Sequence, residues 1–296
     1  MKVLALFNRS YERVATPRSV EVEVGYGMIS SQSVFLAPED HNTFRTRLLA
    51  PFFPRYRVLR TLAHEPTHLR TIYRNFILSY DKKLLFLRNQ KCACTQVTQL
   101  LFSYGNEGQV YSGNVHRANS GIYPARYNWE LIKPIFEEQS AFTFTFVRHP
   151  VERAVSAFRN FFIDEKNIAR HKHLPYMKGF GLSRENSHAR NFDVFLDYVE
   201  ATLQVDRLRC DTHWRLQVDN IGFKDLSFDL IGRVETFDTD VAKVFEAIGR
   251  VSFLKPEMLK RRHNKSHEGT FQPSRAQRHR IAGIYAADFE AFGYFD

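Results

Sequence analysis

The 296-residue sequence has only three cysteines, Cys92, Cys94 and Cys210. The odd count, with two of them only two positions apart, argues against the disulfide framework that staples small secreted domains. A zinc site lacks support as well, because C-x-C plus one distant cysteine is missing the second close pair of ligands. Long apolar runs are also absent. The N-terminal run after Met1-Lys2 is five residues, against about 7–15 for a secretory signal and about 20 for a membrane span. A reducing, cytoplasmic setting and no transmembrane segment are the expectation. The glycine-rich phosphate loop G-x-x-x-x-G-K-S/T is missing too, which sets aside P-loop kinases. No internal repeat or low-complexity tract is present.

What the chain does have is a surplus of positive charge. Lys+Arg number 42 against 32 Asp+Glu, a formal net charge of +10. That surplus points to an anionic partner: nucleic acid, an anionic nucleotide or an acidic polymer. With 44% hydrophobic and 25% charged residues the composition is that of a globular protein, long enough to bury a sizeable core. Nucleic acid is the weaker partner, since no recognised binding motif occurs and the basic residues are interspersed with acids.

Residues 1–65 read as an N-terminal extension or lobe, with short strand-like runs at 3–7, 20–24 and 33–36. Residues 66–296 carry a clearer pattern. Runs at 76–80 and 84–87 flank Asp81-Lys82-Lys83 and suggest two strands joined by a tight turn, although Leu69, Ile72, Tyr73, Phe76 and Ile77 also fit a helical period. Residues 95–104 have apolar positions at i, i+3, i+4 and i+7, with Gly105 as a stop. A β-rich run at 142–147 leads through Arg148-His149-Pro150 into a helix over 151–162. Further elements are a helix at 191–203, a strand at 228–234 and a helix at 238–248. A last helix begins near Ser274, which with Gln277 fits a capping box, and runs through Phe289. Strands alternating with helices predict an α/β fold with a mainly parallel central sheet flanked by helices.

In open parallel sheets ligands gather at the carboxyl ends of strands. Two such ends carry basic residues beside a helix start, where unpaired N–H groups attract anions. The first is 91–95, with Lys91 and the hydroxyl of Thr95. Read alone, it is as well explained by an ordinary strand–helix loop with one solvated lysine. The second is Arg148, whose guanidinium fork suits a phosphate, followed eight positions later by Ser156. Ser156 shares a predicted polar stripe with Glu152, Arg153, Arg159 and Asn160, and for Arg153 and Arg159 a solvated or salt-bridged helix face is expected.

Residues 86–95, Phe-Leu-Arg-Asn-Gln-Lys-Cys-Ala-Cys-Thr, resemble the 5′-phosphosulfate loop, P-K-x-A-C-T, of the carbohydrate sulfotransferases related to the HNK-1 and chondroitin/dermatan enzymes. Residues 146–160 are similar to the 3′-phosphate segment of that family, V-R-x-P-x-E-R-L-x-S-A-Y/F-R. Thr212-His213-Trp214-Arg215, Gly232-Arg233-Val234-Glu235-Thr236, Asn264-x-Ser266 and the stretch from Asp288-Phe289 to Phe292-Gly293-Tyr294 extend the resemblance, in family order, over about residues 75–294. The sequence departs from the pattern at Gln90, where the family has proline, and at His149, where it has an acid.

The resemblance implies a P-loop-like sulfotransferase fold and transfer of a sulfuryl group from PAPS (3′-phosphoadenosine 5′-phosphosulfate) to a hydroxyl, usually on a sugar, leaving PAP. By the same resemblance Lys91, Cys92, Ala93, Cys94 and Thr95 would hold the 5′-phosphosulfate. Arg148 and Ser156 would hold the 3′-phosphate, Arg233 would lie on the adenine side, and Ser266 would belong to a loop over the nucleotide. No metal is implied. Lys91 suits the charge that develops on the leaving phosphate. His116 and His213 are the two candidate general bases, histidine being the commonest such residue near neutrality; a loop histidine and a packed structural corner are the respective alternatives. A basic stretch containing Lys166, Arg170, His171, Lys172, His173 and Lys178 is a candidate surface for an acidic acceptor, or simply a solvated charge run. The competing readings are a non-catalytic polyanion- or nucleotide-binding protein and a sulfotransferase for a non-sugar hydroxyl.

Overall fold

The apolar runs on either side of Asp81-Lys82-Lys83 form a β-hairpin in a computed structural model, which describes residues 34–36, 43–117, 121–123, 128–165, 167–260 and 271–295. The expected strands at 3–7 and 20–24 lie outside the described residues, and residues 34–36 are not a strand. Three short helices lead in: α1 (Phe44–Leu49), α2 (Pro54–Leu62) and α3 (Thr67–Ile72). The helical period at 69–73 belongs to α3 and the turn after it, and strand β1 (Phe76–Leu78) begins only then.

Next come β2 (Leu84–Leu87), α4 (Cys94–Gly105), α5 (Trp129–Glu137), β3 (Phe142–Val147) and α6 (Pro150–Phe158). The helix expected over 151–162 changes character at its end: Arg159–Ile163 form a π-helical turn, closed by Asp164 N–H donating to Arg159 O at 2.7 Å. The extra residue in this turn makes Phe161 the fully buried ring, with Phe162 only partly covered. Helices α7 (Arg170–Gly179), α8 (His188–Asp206) and α9 (Gln217–Asn220) precede β4 (Leu230–Arg233). Then follow α10 (Phe237–Ala247), α11 (Pro256–Lys260), α12 (Arg275–Ile284) and α13 (Ala286–Phe292). The Ser274–Gln277 capping box is formed, but the single last helix breaks at Tyr285. The buried Tyr285 donates its phenol proton to Trp214 O at 2.8 Å, and the break turns Asp288 inward.

The four strands among the described residues lie in the order β1-β2-β3-β4, with β1–β2 antiparallel and the other two pairs parallel. Alternation of side chains across the pleat divides the apolar residues between two faces. Phe76, Leu78, Leu85, Leu87 and Val147 pack against Val58 and Leu62 of α2 and Trp129 and Ile132 of α5. Ile77, Leu84, Phe86, Phe144 and Phe146 pack against Val97 and Leu101 of α4 and Val241 and Val244 of α10. A third core, built without strands, gathers α6, α8 and α12 around Trp214. This α/β arrangement opens the β2–α4 and β3–α6 loops at neighbouring strand ends.

One sequence expectation is corrected here. Arg153 and Arg159 are not on a solvated face: they are 2% and 8% exposed. Arg153 is held because backbone carbonyls from three distant positions converge on its guanidinium, which pattern along α6 cannot reveal.

Candidate active site

The β2–α4 loop performs without glycine a turn that usually needs it. Lys91 and Ala93 both take left-handed backbone conformations, φ 67° and 53°, at a cost of about 1–3 kcal/mol each for non-glycine residues. The surroundings over-determine the loop. Asn89 Nδ2 donates to Phe146 O at 3.1 Å and to Gln217 Oε1 at 3.2 Å, while its Oδ1 accepts from Asn220 Nδ2 at 3.1 Å. Gln90, standing where the family has proline, donates from Nε2 to Asn75 Oδ1 at 3.2 Å. The Gln90 carbonyl accepts from Arg153 Nε at 3.1 Å.

Cys92 is fully buried, its thiol donates to Gln217 Oε1 at 3.1 Å, and burial pushes that thiol up to about 12. Its N–H is used by Asn89 O, so Cys92 shapes the loop and turns no donor outward. The first-turn N–H groups of α4, from Cys94 onward, have no acceptor within the helix. Lys91 projects at this same helix mouth, and among the described residues its ammonium has no hydrogen bond or ion pair. Burial lowers its pKa to about 8, with Arg148 and Arg153 adding to the effect against the Cys94 and Cys92 sulfurs.

The β3–α6 loop carries the second basic group. Pro150 opens α6 at its first position, as its fixed φ favours. Arg148 is half-buried, and its one described ion pair is a loose contact of 3.7 Å with Glu152. Ser156 lies half-buried on α6, with no side-chain hydrogen bond among the described residues. Arg153, behind them, donates from Nη1 to Arg215 O at 2.8 Å and from Nη2 to Thr212 O at 2.9 Å, besides its bond to Gln90 O. It ties the first loop to the 212–215 segment.

Gln217 ties the two basic loops to each other. Its Oε1 accepts from Arg148 N–H at 2.9 Å as well as from Asn89 and Cys92, and its Nε2 donates to Arg148 O at 2.9 Å. The α9 N-terminus that carries it is capped by buried Asp288, which accepts from the N–H groups of Gln217 and Val218 at 2.9 and 3.0 Å. Burial raises the Asp288 carboxyl to about 6, against the opposing influence of Arg153 and the two N–H groups. Sequence reasoning missed Gln217, Asn89 and Asp211 as site residues. Asp211 had one usable signal, its position two residues before His213.

The two candidate bases have different surroundings. His213 Nδ1–H donates to Asp211 Oδ1 at 2.6 Å, and its Nε2 faces Asn167 Nδ2 at 3.2 Å. Burial lowers the His213 pKa; Asp211 opposes that, while the Lys91 and Arg153 charges lower it further. Burial acts to raise the Asp211 carboxyl, but His213 and His173 outweigh it and hold the group well below the usual carboxylate range. His116 is engaged at both ring nitrogens, with Arg88 Nη1 at 3.0 Å from Nδ1 and Thr95 Oγ1 at 3.0 Å from Nε2. A guanidinium only donates, so the His116 proton sits on Nε2 and points to the Thr95 hydroxyl.

Arg233 closes the C-terminal side. Its Nη2 donates to Phe292 O at 2.5 Å, and its guanidinium lies over the Tyr294 ring, 4.7 Å from the centroid. Glu235 accepts from His149 N–H at 2.7 Å and from Tyr294 OH at 3.0 Å, so His149, at the family's acid position, reaches this same corner. Ser266 and Lys166 lie outside the described residues.

The arrangement sets the Lys91–Thr95 loop and the Arg148 loop side by side as one rim, each at a helix N-terminus, with Ser156 on the helix that follows Arg148. Such a rim can grip a ligand that is anionic at two ends and can take a proton beside it. Comparison with known proteins accords with this. Carbohydrate sulfotransferase 11 of Mus musculus is 25% identical over 237 residues, covering 75% of this chain and 67% of that protein. Carbohydrate sulfotransferase 9 of Homo sapiens is 23% identical over 255 residues, 79% of this chain and 56% of the relative. Carbohydrate sulfotransferase 10 of Mus musculus is 22% identical over 254 residues, 80% and 71% of the two chains. No solved structure matches. The profile of the Sulfotransferase family covers residues 74–295, with both basic loops, the His213 segment and Arg233 inside it, and the chain therefore belongs to the sulfotransferase family.

Proposed function

We propose that the protein is a PAPS-dependent O-sulfotransferase on a P-loop-like fold, with a carbohydrate hydroxyl as acceptor. The observation that carries this reading is the joining, through Gln217, of two helix mouths that each present a basic side chain, Lys91 and Arg148. Bound PAPS would supply the sulfuryl group as an activated phosphosulfate anhydride. Lys91 and the N–H groups of Ala93, Cys94 and Thr95 fit the 5′-phosphosulfate end. Arg148 and Ser156 fit the 3′-phosphate, and Arg233 with its neighbours to Thr236 fits the adenine side; Ser266 keeps the role the resemblance gives it.

Lys91, an ammonium at neutral pH, offsets negative charge that grows on the phosphate side of the breaking bond. A base must take the acceptor proton as its oxygen attacks. His213 is favoured, because its Nε2 carries the lone pair and Asp211 orients the ring and stabilises the imidazolium that forms. His116 is the second candidate, but it could take a proton only after Arg88 releases its Nδ1 lone pair; as it stands, its contacts suit it to fixing the Thr95 hydroxyl beside the donor. The carbohydrate acceptor is supported by the names of the relatives, and the basic helix α7 lies on the chain beside Asn167.

PAP should raise the melting temperature of the wild-type protein by mass action. Lys91→Ala and Arg148→Ala should each weaken PAP binding about 10- to 100-fold, as loss of a charge-assisted contact does. His213→Ala should keep PAP affinity and lose labelled-sulfate transfer to an oligosaccharide acceptor. Absence of a PAP shift in the wild type, or unchanged PAP affinity in both loop variants, overturns the donor assignment.

A further inference from the structure

Asn167 follows the π-helical turn, and its carboxamide is fixed at three points. Its Oδ1 accepts from Ala169 N–H at 2.9 Å, and its Nδ2 donates to Asn160 Oδ1 at 3.0 Å and approaches His213 Nε2 at 3.2 Å. With the oxygen committed to Ala169, the nitrogen must face His213. An amide nitrogen offers only protons, so His213 Nε2 receives the bond with its lone pair.

The other side of the ring agrees. Nδ1–H donates to Asp211 Oδ1. Asp211 Oδ2 accepts from His173 Nε2–H at 3.1 Å, and His173 Nδ1 accepts from Tyr198 OH at 2.9 Å. Every link runs in one direction, from Tyr198 through His173 to the Asp211 carboxylate, and from Asn167 through His213 to the same carboxylate. His173 is 1% exposed, whereas the His213 side chain is 24% exposed, so the chain of bonds opens to solvent at the Asn167 end.

An imidazole nitrogen has one lone pair in the ring plane. A hydroxyl that gives its proton to Nε2 needs that lone pair, so the hydroxyl and the Asn167 N–H exclude each other. We propose that Asn167 is the acceptor gate: its carboxamide holds the place at His213 Nε2 that the acceptor hydroxyl takes, and it leaves as the acceptor is seated. This rests on the reading of His213 as the base. In the resting protein the gate keeps His213 neutral, in the correct tautomer and closed to water at its basic atom. Asn160, in the π-helical turn, is the latch, since it holds the second N–H of the same carboxamide and its own O accepts from Asn167 N–H at 3.3 Å. A π turn in this place fits the tendency of such turns to sit at functional sites.

The test separates the gate from the base. A donor on the Nε2 lone pair favours the neutral ring. Removing it in Asn167→Ala should move the His213 titration, followed by ring NMR in the ligand-free protein, upward by about 0.7 unit. That corresponds to a lost hydrogen bond worth about fivefold. The charged and titratable groups that face His213, namely Asp211, Lys91 and Arg153, with His173 across Asp211, are unchanged in this variant. The acceptor KM should fall about fivefold as the competitor disappears, while PAP affinity stays the same. Asn160→Ala should lower the acceptor KM in the same direction with a smaller change in the titration, and Asn167→Ser serves if the alanine variant is poorly folded. A His213 titration that does not move, or an acceptor KM that is unchanged or higher, overturns the gate. If His213→Ala retains full transfer rate, it is the assignment of the base that fails.

Discussion

Lys91 carries its charge in a half-buried loop where burial, aided by Arg148 and Arg153 and opposed by the Cys94 and Cys92 sulfurs, brings its pKa down to about 8. The sign of the consequence follows from which form binds an anion. The ammonium does, so affinity for PAP is full below about pH 8 and declines above it, approaching a tenfold loss per pH unit if the neutral amine contributes nothing. A bound anion also raises the lysine pKa, and binding near pH 8 should therefore take up part of a proton. Calorimetric titration of PAP at pH 8 in two buffers of different ionisation enthalpy measures that uptake, and Lys91→Arg should abolish it. The placement of Lys91 and Arg148 was legible in the sequence because each stands where a short apolar run meets a helix. Gln217, Asp211 and the burial of Arg153 were not. The partners of Gln217 and Arg153 are carbonyls and amides of distant segments, and Asp211 joins its neighbour His213 to the distant His173, none of which side-chain patterning along one helix encodes.

Among the elements, the strand–loop–helix units at 84–105 and 142–158 were readable from short apolar runs followed by amphipathic periods. The π-helical turn and the break at Tyr285 were not, since both are set by what the segment packs against rather than by its own period. The β3–β4 pair shows how close that packing is. Gly232 is paired with Phe146, and a Cβ on Gly232 would meet the Phe146 ring at 2.6 Å. The ring is fully buried and stacks at a tilt on Phe237, with centroids 5.1 Å apart, so it has little room to yield. Gly232→Ala should destabilise the fold by about 1–3 kcal/mol, the range for overpacking, read as a lower urea midpoint with unchanged slope. Because β3 leads directly into Arg148, PAP affinity should fall in the same variant.

Across the whole molecule, the C-terminal helix α13 reaches the site through Asp288. Its carboxyl, raised to about 6 by burial, titrates near 3.9 in an unfolded chain. Between about pH 4 and 6 the folded protein keeps this proton longer than the unfolded one. The group's contribution to stability therefore falls as pH rises through that window, by roughly 3 kcal/mol in all. Asp211 acts in the opposite sense: its carboxyl is depressed, so its contribution is present above about pH 4 and is lost as pH falls through its folded value. Asp288→Asn gives up one of the two caps on α9 at every pH but escapes the ionisation cost. Urea unfolding at pH 4.5 and pH 7 should show the variant gaining on the wild type at the higher pH. The two-anchor rim has a further consequence. Since Gln217 fastens both basic loops to one side chain, the anchors behave as a chelating pair of fixed span. Once one end of a nucleotide is seated, the other meets its anchor at an effective concentration set by that span rather than by the bulk solution. Under the proposed donor assignment, a nucleotide lacking either anionic end would forfeit this advantage together with the contact, so the joining of the two loops would itself select for the doubly anionic nucleotide.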